Sequence, residues 1–245
     1  MNIVHLVLGS GTALLATALG AACLLAFSRV NERIQALIMA FSAGIMAFAA
    51  FEMVDASHGL GGHRLALGGL FGGMLFFLVL DRILPHVHLL LVGDAMPGAK
   101  KKAALLAGTI ALHNIPEGIA IAAAFADSTS LGWLVAVSIA IQDIPEGLLV
   151  AAPMACYGLS RRRAFLWGAF TGVVEMLAAL GAFFALRAAT AALPPALAFS
   201  GGAMAYVVIF ELLPDALRAR NKYLVAAVFI AGIAATFGLS LLVGR

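Results

Sequence analysis

The sequence predicts an all-α integral membrane protein, a single domain over residues 1–245 with eight transmembrane helices. Three observations predict it. First, 63% of the 245 residues are hydrophobic and only 11% are charged, with a mean hydropathy of +1.06. A soluble domain carries about 25% charged residues, so too little polar surface is left here to face water, and lipid is the expected solvent. Second, the apolar residues gather in stretches of about the 20 residues that a spanning helix needs. Third, the breaks between stretches are short and rich in Gly, Pro and charge, the residues that end helices.

The stretches run over 4–27, 33–57, 64–90, 103–126, 131–157, 163–187, 193–215 and 223–244. The first opens as MNIVHLVLGSG without the basic n-region of a cleaved signal, and is read as a retained spanning helix. The breaks that follow are SRVNER, SHGLGGHR, GDAMPGAKKK, ADSTS, GLSRRR, AALPP and RARNK. Alternate breaks carry the positive charge. Arg29, Arg33, Arg82, Lys100, Lys101, Lys102, Arg161, Arg162, Arg163, Arg218, Arg220 and Lys222 fall on one face, 12 of the 15 basic residues, against Arg64, Arg187 and Arg245 on the other. The positive face stays in the cytoplasm, so both termini are expected on the outer side. The net charge of +3 and pI near 9.1 come from these topogenic clusters, and a nucleic-acid partner is excluded. Cys23 and Cys156 are too few and too far apart for a disulfide framework or a CxxC zinc knuckle, and both read as packing residues.

An inverted repeat is visible. The second stretch contains AFSAGIMAF (40–48) and the seventh AFSGGAMAY (198–206), identical at six of nine positions. The fourth contains HNIPEG (113–118) and the fifth QDIPEG (142–147). In both pairs the partners run in opposite directions through the membrane. A 3+2+3 arrangement follows, in which helices 1–3 mirror helices 6–8 around a central pair. Transporters built this way hold substrate at mid-bilayer, on broken helices at the repeat interface.

The paired motifs are where the chemistry concentrates. His113 and Gln142 both fall near mid-membrane. At 3.6 residues per turn His113, Glu117 and Asn114 lie at roughly 0°, 40° and 100° around the helix, so all three share a face with Glu117 between the others. Gln142, Glu146 and Asp143 repeat the pattern. Pro116 and Pro145 withhold N–H groups from the carbonyls of Leu112 and Ile141, which kinks each helix and frees a carbonyl. Gly118 and Gly147 permit close backbone approach.

Carboxylates at bilayer centre are costly and mark function. Glu117, Asp143 and Glu146 are three, and Glu175 in the sixth stretch is a fourth, with no Lys or Arg at the same depth. Protons or metal ions must supply the missing positive charge. Two divalent cations would balance four carboxylates. A sodium or proton site is the nearest competitor. His113 favours a transition metal, because imidazole suits zinc, iron, copper and nickel, whereas all-oxygen sites suit magnesium and calcium.

HNIPEG and QDIPEG, with a Glu on the next helix, resemble the ZIP (Zrt-, Irt-like) metal transporters, particularly their bacterial branch, over nearly the whole chain. The resemblance implies a carrier in the bacterial inner membrane, not an enzyme, that moves zinc and cadmium, with iron and manganese as further candidates, into the cytoplasm. The metals are substrate, not cofactor, and occupy two sites. By that resemblance His113, Glu117, Gln142, Asp143 and Glu146 line the first, with Met46 adding a soft sulfur. Asn114, Glu117, Asp143, Glu146 and Glu175 line the second. Besides metal ions and lipid, a second copy of the chain in a homodimer is a candidate partner.

Two features depart from the family. The break between the third and fourth stretches has no histidine run. Phe210 stands where some members carry His before the seventh-helix glutamate. Glu52, Asp55 and His58, followed by His63, are candidate entrance residues, and Glu211, Asp215, His86 and His88 candidate exit residues. All of these are equally readable as solvated helix ends. Two rival functions remain at this level: a proton- or sodium-coupled carrier of another solute, and an intramembrane metallohydrolase. The second would need an open zinc position and a general base, and HExxH is absent.

Overall fold

The computed structural model describes residues 2–26, 32–92, 98–156, 158–219 and 221–244. Their side chains are described too, apart from those of 26, 32, 84–92, 98–107, 109, 110 and 156. The described chain is all-helical. Its elements are α1 (Ile3–Ala26), α2 (Glu32–Val92), α3 (Gly98–Asp127), α4 (Thr129–Cys156), α5 (Arg161–Ala188), α6 (Leu193–Val207), α7 (Leu213–Ala216) and α8 (Lys222–Leu242). A 3₁₀ turn, Thr190–Ala192, leads into α6, and a π turn, Val208–Leu212, joins α6 to α7. Among the described residues six helices are long and apolar enough to cross a membrane: Ile3–Leu25, Arg33–Ile83, Thr129–Ala155, Arg161–Ala188, Thr190–Ala216 and Lys222–Leu242.

The largest departure from the expected boundaries is at the second break. The sequence predicts a loop across SHGLGGHR, yet helix continues from the second stretch into the third and is interrupted only at Gly62 (φ 74, ψ 176). That combination is open to glycine alone. One such residue redirects the chain without a loop, and the residues around it remain helical. The other corrections are smaller. α3 begins at Gly98, ahead of the predicted 103, and the break before α4 narrows to Ser128. α5 starts at a Ser160 N-cap whose side chain accepts from the Arg163 N–H. Asn221 caps α8 in the same way, accepting from Leu224 N–H at 3.1 Å. Each satisfies an N–H that would otherwise be orphaned in the first turn.

Small residues set how the helices pack. α1 lies against α4 and α5, α3 against α4 and α5, and α2 against α6 and α8. A Cβ at Gly118 would fall on the Glu175 carbonyl of α5, and one at Gly147 on the Thr17 carbonyl of α1. Likewise Gly44 of α2 abuts the Phe229 carbonyl of α8, and Gly202 of α6 abuts the Leu70 carbonyl of α2. The relation is reciprocal. Gly232 of α8 meets the Phe41 carbonyl, and Gly73 of α2 meets the Phe199 carbonyl. Backbones this close leave no lipid between them, and dispersion over the whole contact replaces the hydrophobic effect that lipid cannot supply. Met46 and Met204, at matching places in the two AFS motifs, are both buried in the principal apolar core.

Candidate metal centre

α3 and α4 present the two motifs toward each other, with α5 and α1 closing the sides. Asn114, Glu117, Gln142, Asp143 and Glu175 are all buried. Pro116 lies inside α3 and Pro145 inside α4. Each removes one rung of the helical ladder within the motif, at the depth where the carboxylates project.

Glu117, Asp143 and Glu146 each offer an oxygen, and the three oxygens lie within 4.8 Å of one another. The surrounding hydrogen bonds are few and one-sided. Gln142 Nε2 donates to Glu117 Oε1. Thr17 Oγ1 donates to Asp143 Oδ2 at 3.2 Å. Glu117 Oε2, Asp143 Oδ1, both oxygens of Glu175, Gln142 Oε1, and both Oδ1 and Nδ2 of Asn114 are buried with no hydrogen-bond partner. A buried polar atom left unpaired costs on the order of 1–3 kcal/mol, and more if charged. Native structures contain few such atoms. Most of those found among the described residues belong to this one cluster, and nearly all of them are oxygens. Such a donor set fits a divalent cation, which would satisfy several of them at once.

His113 sits at the edge of this cluster. Its Nε2 donates to Glu211 Oε1 at 3.0 Å, and its ring stacks on Phe77 at a centroid distance of 5.5 Å. Glu211 lies in the π turn, and the widened turn accompanies the approach of its carboxylate to α3. Phe77 also contacts Tyr206, whose hydroxyl donates to Asp81 Oδ2 at 3.1 Å.

Glu211 was expected at an inner helix end, and the structure brings it against His113. Asp215, one turn further on, pairs with Arg218 at 3.2 Å. It lines a cavity of about 760 Å³ together with Arg33, Gln35 and Asn221. The side chains of His86 and His88 lie outside the described residues. At the opposite end, Glu52 accepts from Ser240 Oγ at 3.1 Å. Asp55 and His58 are exposed, and the rings of His58 and His63 lie 4.3 Å apart across the Gly62 break. Three contributors went unnoticed in the sequence: Thr17, Asp81 and Tyr206. The only available signal was a polar side chain in an apolar stretch, and most such side chains bond their own helix.

Residues 91–241 match the family model described as ZIP Zinc transporter. Zinc transporter ZupT of Chlorobium luteolum is 37% identical over 249 residues, covering 93% of each chain.

The chain belongs to the ZIP family.

Zinc transporter ZupT of Shigella dysenteriae is 36% identical over 209 residues, 81% of each chain. Zinc transporter GufA of Myxococcus xanthus is 42% identical over 157 residues, which is 61% of its length. A relative from Arabidopsis thaliana is 31% identical over 229 residues, or 37% of its length. As a ZIP protein with six apolar helices among its described residues, the chain is a multi-pass membrane protein of a transporter family rather than an enzyme.

Proposed function

We propose that this ZIP protein carries zinc, and also cadmium, across the bacterial inner membrane into the cytoplasm through a binuclear site on α3, α4 and α5. Iron and manganese are further candidate substrates, ranked below zinc by ligand softness. The observation that carries the reading is the cluster of Glu117, Asp143 and Glu146 oxygens within 4.8 Å of one another. It is surrounded by buried oxygen atoms that nothing in the described protein satisfies. The bacterial relatives are named as zinc transporters.

The first metal position uses His113, Glu117, Gln142, Asp143 and Glu146, with Met46 as the soft ligand. The second uses Asn114, Glu117, Asp143, Glu146 and Glu175. Glu117 and Glu146 lie between the other ligands and bridge. Glu52, Asp55 and His58 gather cations outside. The inward route runs from His113 to Glu211, to Asp215 one turn on, and so to the cavity beside Arg33.

Eight spans in a 3+2+3 arrangement complete the reading. At 1.5 Å per residue the 51-residue apolar run of α2 is about 76 Å long, enough for two crossings of a core about 30 Å thick, with Gly62 between them. The reciprocal glycine contacts support the inverted repeat. Gly44 and Gly202 hold the same place in the two AFS motifs, and each meets the third span of the other repeat. Alternating access then rocks or slides one bundle against the other around the metal.

The test is zinc uptake into proteoliposomes, followed by a dye trapped inside, together with metal analysis of protein purified without chelator. Native protein is expected to retain up to two zinc ions per chain and to transport zinc and cadmium. His113→Ala and Glu146→Ala should each lose bound metal and lower uptake at least tenfold. Native protein that binds no zinc, or variants that transport as well as it does, would end the proposal.

A further inference from the structure

The structure gives each of two site carboxylates a neutral hydrogen-bond donor on one oxygen and no donor on the other. For Glu117 the donor is Gln142 Nε2, already a member of the motif. For Asp143 it is Thr17 Oγ1, contributed by α1, a helix that the motifs do not touch in sequence. We propose that Thr17 is a positioning residue of the metal site, holding Asp143 Oδ2 so that Asp143 Oδ1 faces the cation. This rests on the metal-site reading above.

Three observations carry it. Thr17 is completely buried, and its hydroxyl reaches Asp143 across 3.2 Å from a different helix. The same hydroxyl lies 3.0 Å from the carbonyl of Ala13, the usual back-bond of a threonine in a helix. One hydrogen therefore has two acceptors. The two share it, and because the Ala13 carbonyl also has its helical N–H partner, Asp143 Oδ2 is the acceptor that depends on the hydroxyl. Finally, the backbone at Thr17 is pinned. Gly147 abuts its carbonyl, and a Cβ at Gly172 of α5 would lie 3.0 Å from its Oγ1. Thr17 is thus packed closely against α4, which carries Asp143, and α5, which carries Glu175.

The placement has a counterpart. Gly118 of HNIPEG abuts the carbonyl of Glu175 just as Gly147 of QDIPEG abuts that of Thr17. Where α5 offers the centre a carboxylate, α1 offers a hydroxyl at the equivalent position. A second carboxylate there would add a fifth buried negative charge beyond what two divalent ions neutralise. A hydroxyl orients Asp143 without adding charge.

The experiment compares Thr17→Val, which keeps the shape and removes the donor, with Thr17→Ser, which keeps the donor and removes the methyl. Asp143→Asn is the reference, and all are assayed as full-length protein in proteoliposomes over a range of zinc concentrations. Thr17→Val is expected to raise KM for zinc about tenfold, the loss of one hydrogen bond to a charged group, with the maximal rate within about twofold. Thr17→Ser should return KM to within about threefold of the native value. A native KM in Thr17→Val overturns the proposal. So does a Thr17→Ser as impaired as Thr17→Val, because packing against Gly172 would then be the whole role. If Asp143→Asn itself transports zinc normally, the metal-site reading fails. A dead Asp143→Asn beside a native Thr17→Val removes only the role of Thr17.

Discussion

Glu175 is buried beside Asn114 and Asp143 with no well-formed hydrogen bond to either oxygen, and that has a cost while metal is absent. Glu175→Gln keeps the volume and removes the charge. In metal-free detergent solution the variant should melt no lower than the native protein, because it replaces a buried acidic group that no ion pair holds among the described residues. Zinc should have the opposite effect. A ligand at a hundred times its Kd stabilises by about 2.7 kcal/mol, and the variant should lose much of that upward shift. Thermal melts with and without zinc decide it, and a native zinc shift in Glu175→Gln would remove Glu175 from the second metal position. The gathering of Glu117, Asp143 and Glu146 was legible from residue types and spacing alone, since a 3.6-residue period puts the acidic positions of each motif on one helix face. Thr17 was not, because a threonine in an apolar stretch looks the same whether it bonds its own helix or a carboxylate on another. Nor was the pairing of His113 with Glu211, which depends on how two helices distant in sequence are brought together.

Helix ends are fixed by local chemistry at some places and by packing at others. Ser160 and Asn221 cap their helices with their own side chains, a signal carried entirely by neighbouring residues. The π turn at Val208–Leu212 has a weaker local cause. Pro214 has no N–H for the Phe210 carbonyl, so the preceding turn is free to widen, but it does so where Glu211 reaches α3. The Gly62 break was placed correctly but given too long a loop, because SHGLGGHR is rich in turn-forming residues that nonetheless stay helical on either side of one glycine. That geometry predicts a cost of about 1–3 kcal/mol for Gly62→Ala, through backbone strain alone, since no heavy atom lies within 4 Å of the added methyl. Gly147→Ala should cost as much or more by a different route, forcing α4 off the Thr17 carbonyl. Gly181→Ala meets no atom and sits inside α5, so it should be neutral or stabilising by up to about 1 kcal/mol. Thermal melts of the three give the ranking. Equal stability of all three would mean that neither the strain at Gly62 nor the helix contact at Gly147 carries weight.

Across the whole molecule, number of crossings and direction are one question, because each added span reverses the side of everything after it. Twelve of the 15 basic residues fall on one side only if the chain crosses twice within α2 and once at α3. Counting α2 as a single crossing would place Arg161, Arg162 and Arg163 opposite Arg33, weaken the split to 10 against 4 and leave Arg64 inside the span. Membrane insertion follows that bias, so eight crossings with both termini outside is the arrangement consistent with it. Asn2 and Ser160 are exposed ends of α1 and α5 and report the two faces. In a background with both native cysteines replaced, Asn2→Cys should react with a membrane-impermeant maleimide in intact spheroplasts. Ser160→Cys should react only after the membrane is opened. Labelling of both from outside would mean that an odd crossing has been added or lost between them. The opposite directions of α3 and α4, on which the shared metal centre depends, would then have to be drawn again. Reversal of both would keep the centre intact but turn its cavity beside Arg33 toward the periplasm, making the same residues the way in rather than the way out.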